Sequence, residues 1–379
     1  MKSAPYGLDE LKVLADRISL ASSGWLDQKV PVVLYGAGNF GRTVLATLRS
    51  RNVPVEAFID GKIAEPITRD GLTIYPLDHP QTGEYARKGC LALVTVFNHL
   101  ADWSEIVRVL KRRGFSQIIT PMEIFDAMPE IEAARYWVAP PSFYAEKWSS
   151  FLSGTDLWDD EASREIYRRI LWFRLARNLA AHPPPQLDCQ YAPRDLPPWR
   201  EPVRFLDGGA CVGEALQTLL KTGSQIERYY AWEPDLANFE KLESYLQQEC
   251  PQLTATLFPC GLGSKTASLS FTGGLGAASA ITEGGRDKTV VLSADQVLRN
   301  QSVNLVKLDV EGAEIEALLG MRSLIERERP GLAVCVYHQP DDIFTIPALI
   351  KSWNLSYRLH LRAHCWNTFD TVLYALPAE

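Results

Sequence analysis

The chain has 379 residues, 46% of them hydrophobic and 22% charged, with a net charge of −7. That length favours two domains over one, and the composition is that of an ordinary globular protein. The acidic balance, with no block of Lys or Arg, excludes nucleic acid as the main partner, because phosphate-backbone binding needs a basic footprint.

The first residues, Met1 to Gly7, lack the apolar core of a signal peptide. No apolar run approaches membrane-spanning length. The seven cysteines (90, 189, 211, 250, 260, 335 and 365) are scattered, and none forms a Cys-x-x-Cys pair. Neither a disulfide framework nor a structural zinc site is expected, and the cytoplasm is the expected compartment.

In chain order, residues 8–20 read as a short amphipathic helix, with Leu8, Leu11, Leu14 and Ile18 near one face. Val30 to Tyr35 reads as a buried parallel strand. It leads into Gly36-Ala37-Gly38-Asn39-Phe40-Gly41, which opens a helix to about Arg49. A second strand, Val55 to Ile59, ends at Asp60, 19 residues after Gly41. This is a Gly-x-Gly-x-x-Gly fingerprint between strand and helix, with an acid at the next strand end, and it fits a dinucleotide or nucleotide-sugar site. The same glycines also serve a domain that keeps them only for close helix–sheet packing. Leu91 to Phe97, a helix over about 102–113 and a short strand Gln117 to Ile119 complete an α/β unit of about four parallel strands.

Residues 122–200 are rich in aromatics: Tyr136, Trp137, Tyr144, Trp148, Trp158, Tyr167 and Trp172. Glu161 to Ala181 has a strong helical period, with Asp159 or Asp160 at its start. His182-Pro183-Pro184-Pro185 cannot continue a helix. A further proline cluster, Pro193 to Pro202, leads into the next strand. The segment reads as a helical connector whose aromatics form core and inter-domain packing, with a lid over the acceptor substrate as the alternative for some of them.

From Val203 the alternation resumes. Val203 to Asp207 reads as a strand feeding Gly208-Gly209-Ala210-Cys211-Val212-Gly213, a turn that opens a helix and lets backbone N–H groups approach a ligand. The next strand, Tyr229 to Trp232, ends in Glu233, an acid placed to accept ribose hydroxyls. A helix to about Gln248 follows, then strands Thr254–Phe258, Ala267–Phe271 and Thr289–Leu292, with a glycine-rich loop over 273–285. Asn304 to Asp309 is a buried strand. Val310-Glu311-Gly312-Ala313-Glu314 then opens a helix to about Arg327. Leu332 to Tyr337 ends at His338, and a helix covers about Ile343 to Trp353. Tyr357–Leu361 and Thr371–Ala375 close the chain as an antiparallel pair. A sheet ending in such a hairpin is not the pattern of a NAD-linked dehydrogenase.

Four blocks occur in order: Asp207-Gly208-Gly209-Ala210-x-x-Gly213, Trp232-Glu233-Pro234, Lys307-Leu308-Asp309-Val310-Glu311-Gly312-Ala313-Glu314, and Leu361-Arg362 with Asp370 to Ala375. Through them, residues from about Tyr191 to Pro377 resemble the FkbM-family S-adenosylmethionine-dependent methyltransferases. The N-terminal 120 residues look like the Rossmann-like modules found beside sugar-modifying domains, a weaker match. Where the family pattern usually has an asparagine near the third strand end, this chain has Pro259-Cys260-Gly261.

The resemblance implies two Rossmann-like domains of α/β class. The C-terminal one, 201–379, would be a class I methyltransferase sheet ending in the hairpin. Residues 1–121 would be the nucleotide- or sugar-nucleotide-binding-like domain, and 122–200 the connector. It also implies S-adenosylmethionine as cofactor and O-methylation of a small-molecule or glycan acceptor, a hydroxyl on a sugar, glycolipid or polyketide-like compound. The cofactor would be held by Asp207, Gly208, Gly209, Gly213, Glu233 and Asp309. Asp207 would orient the turn and meet the cofactor's amino group.

An alcohol is a weak nucleophile and is helped by a general base. His338, at a strand end where open α/β sheets place their sites, is the expected base. Asp341 and Asp342 are its expected partners, and Asp309 and Glu311 the acids beside it. His364 is a second candidate. Glu314 and Glu316 read as solvated helix residues, and Arg362 as a partner of Asp370 or of an acidic substrate group. The ligand spacing is not tight, so no metal is assigned; Asp309, Glu311, His338 and Asp342 are the set that would carry a divalent cation if one bound. Two other readings remain. One is a NAD-dependent oxidoreductase or epimerase run by Gly36–Gly41 and Asp60, although the first domain has no Tyr-x-x-x-Lys-like pair. The other is a non-catalytic nucleotide-sugar-binding or docking role for that domain.

Overall fold

The computed structural model describes residues 7–11, 13, 24–27, 30–132, 135–272, 280–281 and 287–378. The amphipathic helix expected over 8–20 and the glycine-rich loop expected over 273–285 lie mostly outside them. The chain forms two compact units. The first comprises Met1–Leu152, Arg168–Pro184 and Cys365–Phe369; the second comprises Ser153–Tyr167, Pro185–His364 and Asp370–Glu379. The expected boundaries at 121 and 200 do not coincide with these units. Residues 122–200 divide between the two units: 122–152 and 168–184 lie in the first, 153–167 and 185–200 in the second.

In the first unit, β1 (Val32–Tyr35), β2 (Val55–Asp60), β3 (Ile67–Arg69), β4 (Leu72–Pro76), β5 (Leu91–Val94) and β6 (Ile118–Ile119) form one sheet. Its order is β3-β4-β2-β1-β5-β6. All neighbours are parallel except β3 and β4, which pair antiparallel. The β3–β4 hairpin turns at Asp70-Gly71, both with positive φ (53° and 74°). The Asp-Gly pair is a strong hairpin signal that the sequence reading passed over.

The helix Asn39–Ser50 follows β1 and buries Gly41, Val44, Leu45 and Leu48. A Cβ on Gly41 would lie 2.1 Å from the carbonyl oxygen of Gly36, so only glycine lets the turn fold against itself here. Asp60 accepts the Ala37 N–H (3.0 Å) and the Lys62 N–H (2.9 Å). Trp103, Phe125, Trp137, Tyr144 and Phe173 of this unit are buried in its core. Phe97 packs against Phe40, Trp103, Phe125, Trp137 and Phe369, with ring centroids 5.1–6.5 Å apart, a spacing at which aromatic pairs attract.

The second unit carries the larger sheet: β7 (Val203–Gly208), β8 (Ile226–Trp232), β9 (Thr254–Phe258), β14 (Leu305–Leu308), β15 (Gly331–Cys335), β16 (Tyr357–Ala363) and β17 (Thr371–Pro377). The order is β16-β17-β15-β14-β7-β8-β9. The five strands from β15 to β9 are parallel, and β17 runs antiparallel to both β15 and β16. A smaller four-stranded sheet holds β10 (Gly261–Leu262), β11 (Ala267–Thr272), β12 (Ala280–Ile281) and β13 (Asp287–Leu292), in the order β10-β13-β11-β12.

The central strands β14 and β15 are buried throughout, as expected of parallel strands covered on both faces. The helix expected from Glu314 to about Arg327 is two helices, Glu314–Leu319 and Arg322–Glu328. The break has a local cause. The Gly320 carbonyl accepts from the Asp295 N–H and the Ser293 hydroxyl, and the Asp295 carboxylate accepts from the N–H groups of Ser323 and Leu324. The second helix is thus capped by a side chain distant in sequence. In this unit Asp160 caps the helix Glu161–Leu175 through the Ser163 N–H (2.6 Å). Among the described residues no helix is long and apolar enough to cross a membrane.

Candidate active site

The parallel strands β15, β14, β7 and β8 end at one edge of the sheet, with Leu308 aligned to Gly208 and Gly208 to Trp232. This is where open α/β sheets bind ligands. The glycine turn after β7 bends over the edge. The N–H groups of Gly209 and Ala210 both donate to the Trp232 carbonyl (3.0 and 2.9 Å). Gly209 has φ 75°, and a Cβ there would lie 1.9 Å from the Asp309 carbonyl oxygen, so the turn and the β14 end can meet only through glycine. Gly213 caps the helix Glu214–Lys221 with φ 91°.

Glu233 stands at the end of β8 and is 5% exposed. One carboxylate oxygen accepts the Cys211 N–H (2.7 Å) and the other the Asp235 N–H (2.8 Å). The acid is therefore fixed to the glycine turn by its own hydrogen bonds. A carboxylate has about four lone-pair sites, so acceptor capacity remains for hydroxyls. Burial pushes its pKa up against those two donors.

Asp207 is fully buried. Its carboxylate lies 3.0 Å from the Lys307 ammonium and accepts from the Tyr229 hydroxyl (2.8 Å). Lys307 in turn donates to the Gly208 and Gly209 carbonyls (3.2 and 2.5 Å). Burial alone would lower the pKa of Lys307, and Asp207, then Asp309, more than reverse it, so the ammonium holds its proton. Of the two roles expected for Asp207, orienting the turn is the one its partners serve.

His338 follows β15 and its side chain is 2% exposed. Nδ1 lies 2.8 Å from Glu314 Oε1, and Nε2 lies 3.3 Å from Asp309 Oδ1 and 3.6 Å from Glu311 Oε1. The expected partners of His338 were Asp341 and Asp342; its ion-pair partners are Asp309, Glu311 and Glu314. Burial disfavours the imidazolium, but Glu314 and Glu311 outweigh it, and the pKa is raised well above the usual histidine range. Beside the ring stands Glu311. Its side chain is 18% exposed, burial raises its pKa, and its left-handed backbone (φ 53°) is uncommon for a non-glycine residue. Asp309 instead accepts from the Tyr191 hydroxyl (2.8 Å). Its pKa is lowered although burial opposes that, because Lys307 and His338 supply positive charge. Asp342 accepts the Gln339 N–H (2.7 Å), and burial and Glu314 push its pKa up to about 8.

Several expectations are corrected here. Glu314 is 1% exposed and bonds both His338 and the Val310 N–H (2.9 Å); it was expected to be solvated, as Glu316 is. Arg362 is paired with Asp160 (3.0 Å) and Asp195 (2.8 Å), not with Asp370 or an open site. His364 is buried in a separate network. Its Nδ1 faces the Gln186 carbonyl (3.0 Å), and its Nε2 faces the Tyr374 hydroxyl (2.7 Å), which accepts the Tyr191 N–H (2.9 Å). Lys307, Tyr191 and Tyr229 were missed. The signal for Lys307 was present, as one charge inside an otherwise apolar strand.

Residues 207–359 match the model of the methyltransferase FkbM domain. The crystal structure of a methyltransferase FkbM from Methylobacillus flagellatus is similar over 98% of this chain and 100% of that one, with a TM-score of 0.81 and 21% identity. Weak likenesses extend to fibrillarin from Aeropyrum pernix with natively bound S-adenosyl-L-methionine (TM-score 0.29, 13% identity, 47% of this chain and 67% of that one) and to the CurJ carbon methyltransferase (TM-score 0.29, 11% identity, 98% and 91%). No curated protein matches the chain. This edge of glycine turn, strand-end acid and histidine–carboxylate cluster lies within residues 207–359, which match the methyltransferase FkbM domain, and the chain is a methyltransferase.

Proposed function

We propose that the second unit transfers the methyl group of S-adenosylmethionine to a hydroxyl of a sugar, glycolipid or polyketide-like acceptor. The observation that carries this reading is the alignment at one sheet edge of the turn Gly208–Gly213, bonded to Glu233, with the cluster Asp309, Glu311 and His338. The donor set suits the cofactor. Glu233 keeps lone pairs for a ribose diol, and the turn is a helix N-terminus held open by glycines. When bound, S-adenosylmethionine supplies a sulfonium methyl. Transfer forms a carbon–oxygen bond as the carbon–sulfur bond breaks, the electron pair stays on sulfur, and the hydroxyl proton is released. Glu311 takes that proton. His338 stands between Glu314 on its Nδ1 side and Asp309 and Glu311 on its Nε2 side, and keeps the cluster together.

The test is transfer of a labelled methyl group to a panel of hydroxylated glycans and polyketides. Glu311→Gln is expected to lower kcat by about 10²-fold or more, the range of general-base catalysis, with cofactor affinity little changed. An unchanged kcat removes Glu311 from this role. His338→Ala is expected to lower kcat with cofactor affinity kept.

For the first unit, we infer a non-catalytic nucleotide-sugar-binding or docking role. Asp60 accepts an N–H from its own glycine turn, as Glu233 does, while the fingerprint has no accompanying Tyr-x-x-x-Lys-like pair to support an oxidoreductase.

A further inference from the structure

We propose that Asp309, Glu314 and His338, with Glu311 at their side, hold one divalent cation of the Mn²⁺ or Mg²⁺ class. Each of the first three offers a donor atom, and these atoms lie within 4.8 Å of one another. His338 Nε2 and Asp309 Oδ1 are 3.3 Å apart. Two donors about 2.1 Å from a shared ion stand roughly 3.0–3.4 Å apart at octahedral or tetrahedral angles, so this pair already has the spacing of two ligands.

Two further observations point to a cation. One is charge. Three carboxylates surround a single imidazole within 3.6 Å in a largely buried space, and negative charge in such a place needs compensation. The other is an orphaned atom. Glu314 is 1% exposed, and its Oε1 is engaged by His338 and the Val310 N–H, but its buried Oε2 has no hydrogen-bond donor among the described residues. A buried oxygen without a partner is costly, and an ion bridging to Asp309 and His338 removes that cost. The donors, carboxylate oxygens and one imidazole with no thiolate, suit Mn²⁺ or Mg²⁺ rather than a soft metal. At the end of β15 such an ion would lie at the acceptor side of the edge, where it would hold a substrate hydroxyl.

The inference adds a cation to the methyl-transfer reading, but its binding is measured without either substrate. The full chain, stripped with a chelator, is titrated with MnCl₂ and followed by calorimetry and by the electron paramagnetic resonance of free Mn²⁺. One saturable site is expected. It should weaken about 10-fold or more in Asp309→Asn and in Glu314→Gln, and should persist in Glu233→Gln, which lies outside the cluster. No binding to the wild-type chain overturns the proposal, as does undiminished binding in a folded Glu314→Gln. S-adenosylhomocysteine is titrated into the same stripped samples. Its binding without Mn²⁺ binding overturns the cation and leaves the cofactor reading standing; failure of both overturns both.

Discussion

Lys307 carries more of the site's order than its place in a strand suggests. It neutralises Asp207 and holds the carbonyls of Gly208 and Gly209 from below. Replacing one member of a buried ion pair leaves an uncompensated charge, which typically costs 3–5 kcal/mol, whereas removing both is far milder. Lys307→Met should therefore lower unfolding stability by about 3–5 kcal/mol, and the double change Lys307→Met with Asp207→Leu should recover much of it. Denaturant titration of the three proteins checks this; a double variant no more stable than the single one contradicts the pairing. At this scale the sequence announced the acids and His338 through their strand-end positions. It did not show which acids face the ring. Glu314 was hidden because its place at a helix start looks solvated, whereas it is buried against His338 and the Val310 N–H.

Among the elements, those whose chemistry is local were legible. The glycine turns, the strand-end acids and the closing hairpin are written in short spacings. The helix break at Gly320 was not, because its capping carboxylate, Asp295, lies 28 residues before Ser323. The segment after Pro185, part of the expected connector, is tied to the hairpin within the second unit. His364, the residue after β16, faces the Gln186 carbonyl and the Tyr374 hydroxyl, and Tyr374 holds the Tyr191 N–H. Burial lowers the pKa of His364 to about 4. Its unfolded value is near 6.5. The unfolded chain therefore binds the proton more readily, so the contribution is fully present above about pH 6.5 and is lost as pH falls toward 4, amounting to roughly 3 kcal/mol at the acid end. Denaturant midpoints measured from pH 7 to pH 4 should fall less steeply in His364→Phe than in the wild type. Identical slopes contradict the assignment.

For the whole molecule, the sequence conveyed two α/β sheets and the antiparallel end of the second. It did not convey that residues 122–200 divide between two cores, since which core a helix face joins depends on contacts distant in the chain. The two glycine turns share a geometry but differ in what surrounds them. Among the described residues, the second faces a histidine–carboxylate cluster. Gly38→Val fills open space above the first turn, where a Cβ meets nothing within 4 Å. It should leave cofactor binding at the second turn unchanged by calorimetry; loss of that binding would mean that the two units act as one.

The most direct test of the account is titration of the full chain with S-adenosylhomocysteine. Saturable one-to-one binding is predicted, weakened about 10-fold or more by Glu233→Ala, which removes a charged hydrogen-bond partner, and abolished by Gly209→Val, which drives a side chain into the Asp309 carbonyl. A chain that binds neither S-adenosylhomocysteine nor S-adenosylmethionine, but binds NADH, would contradict it.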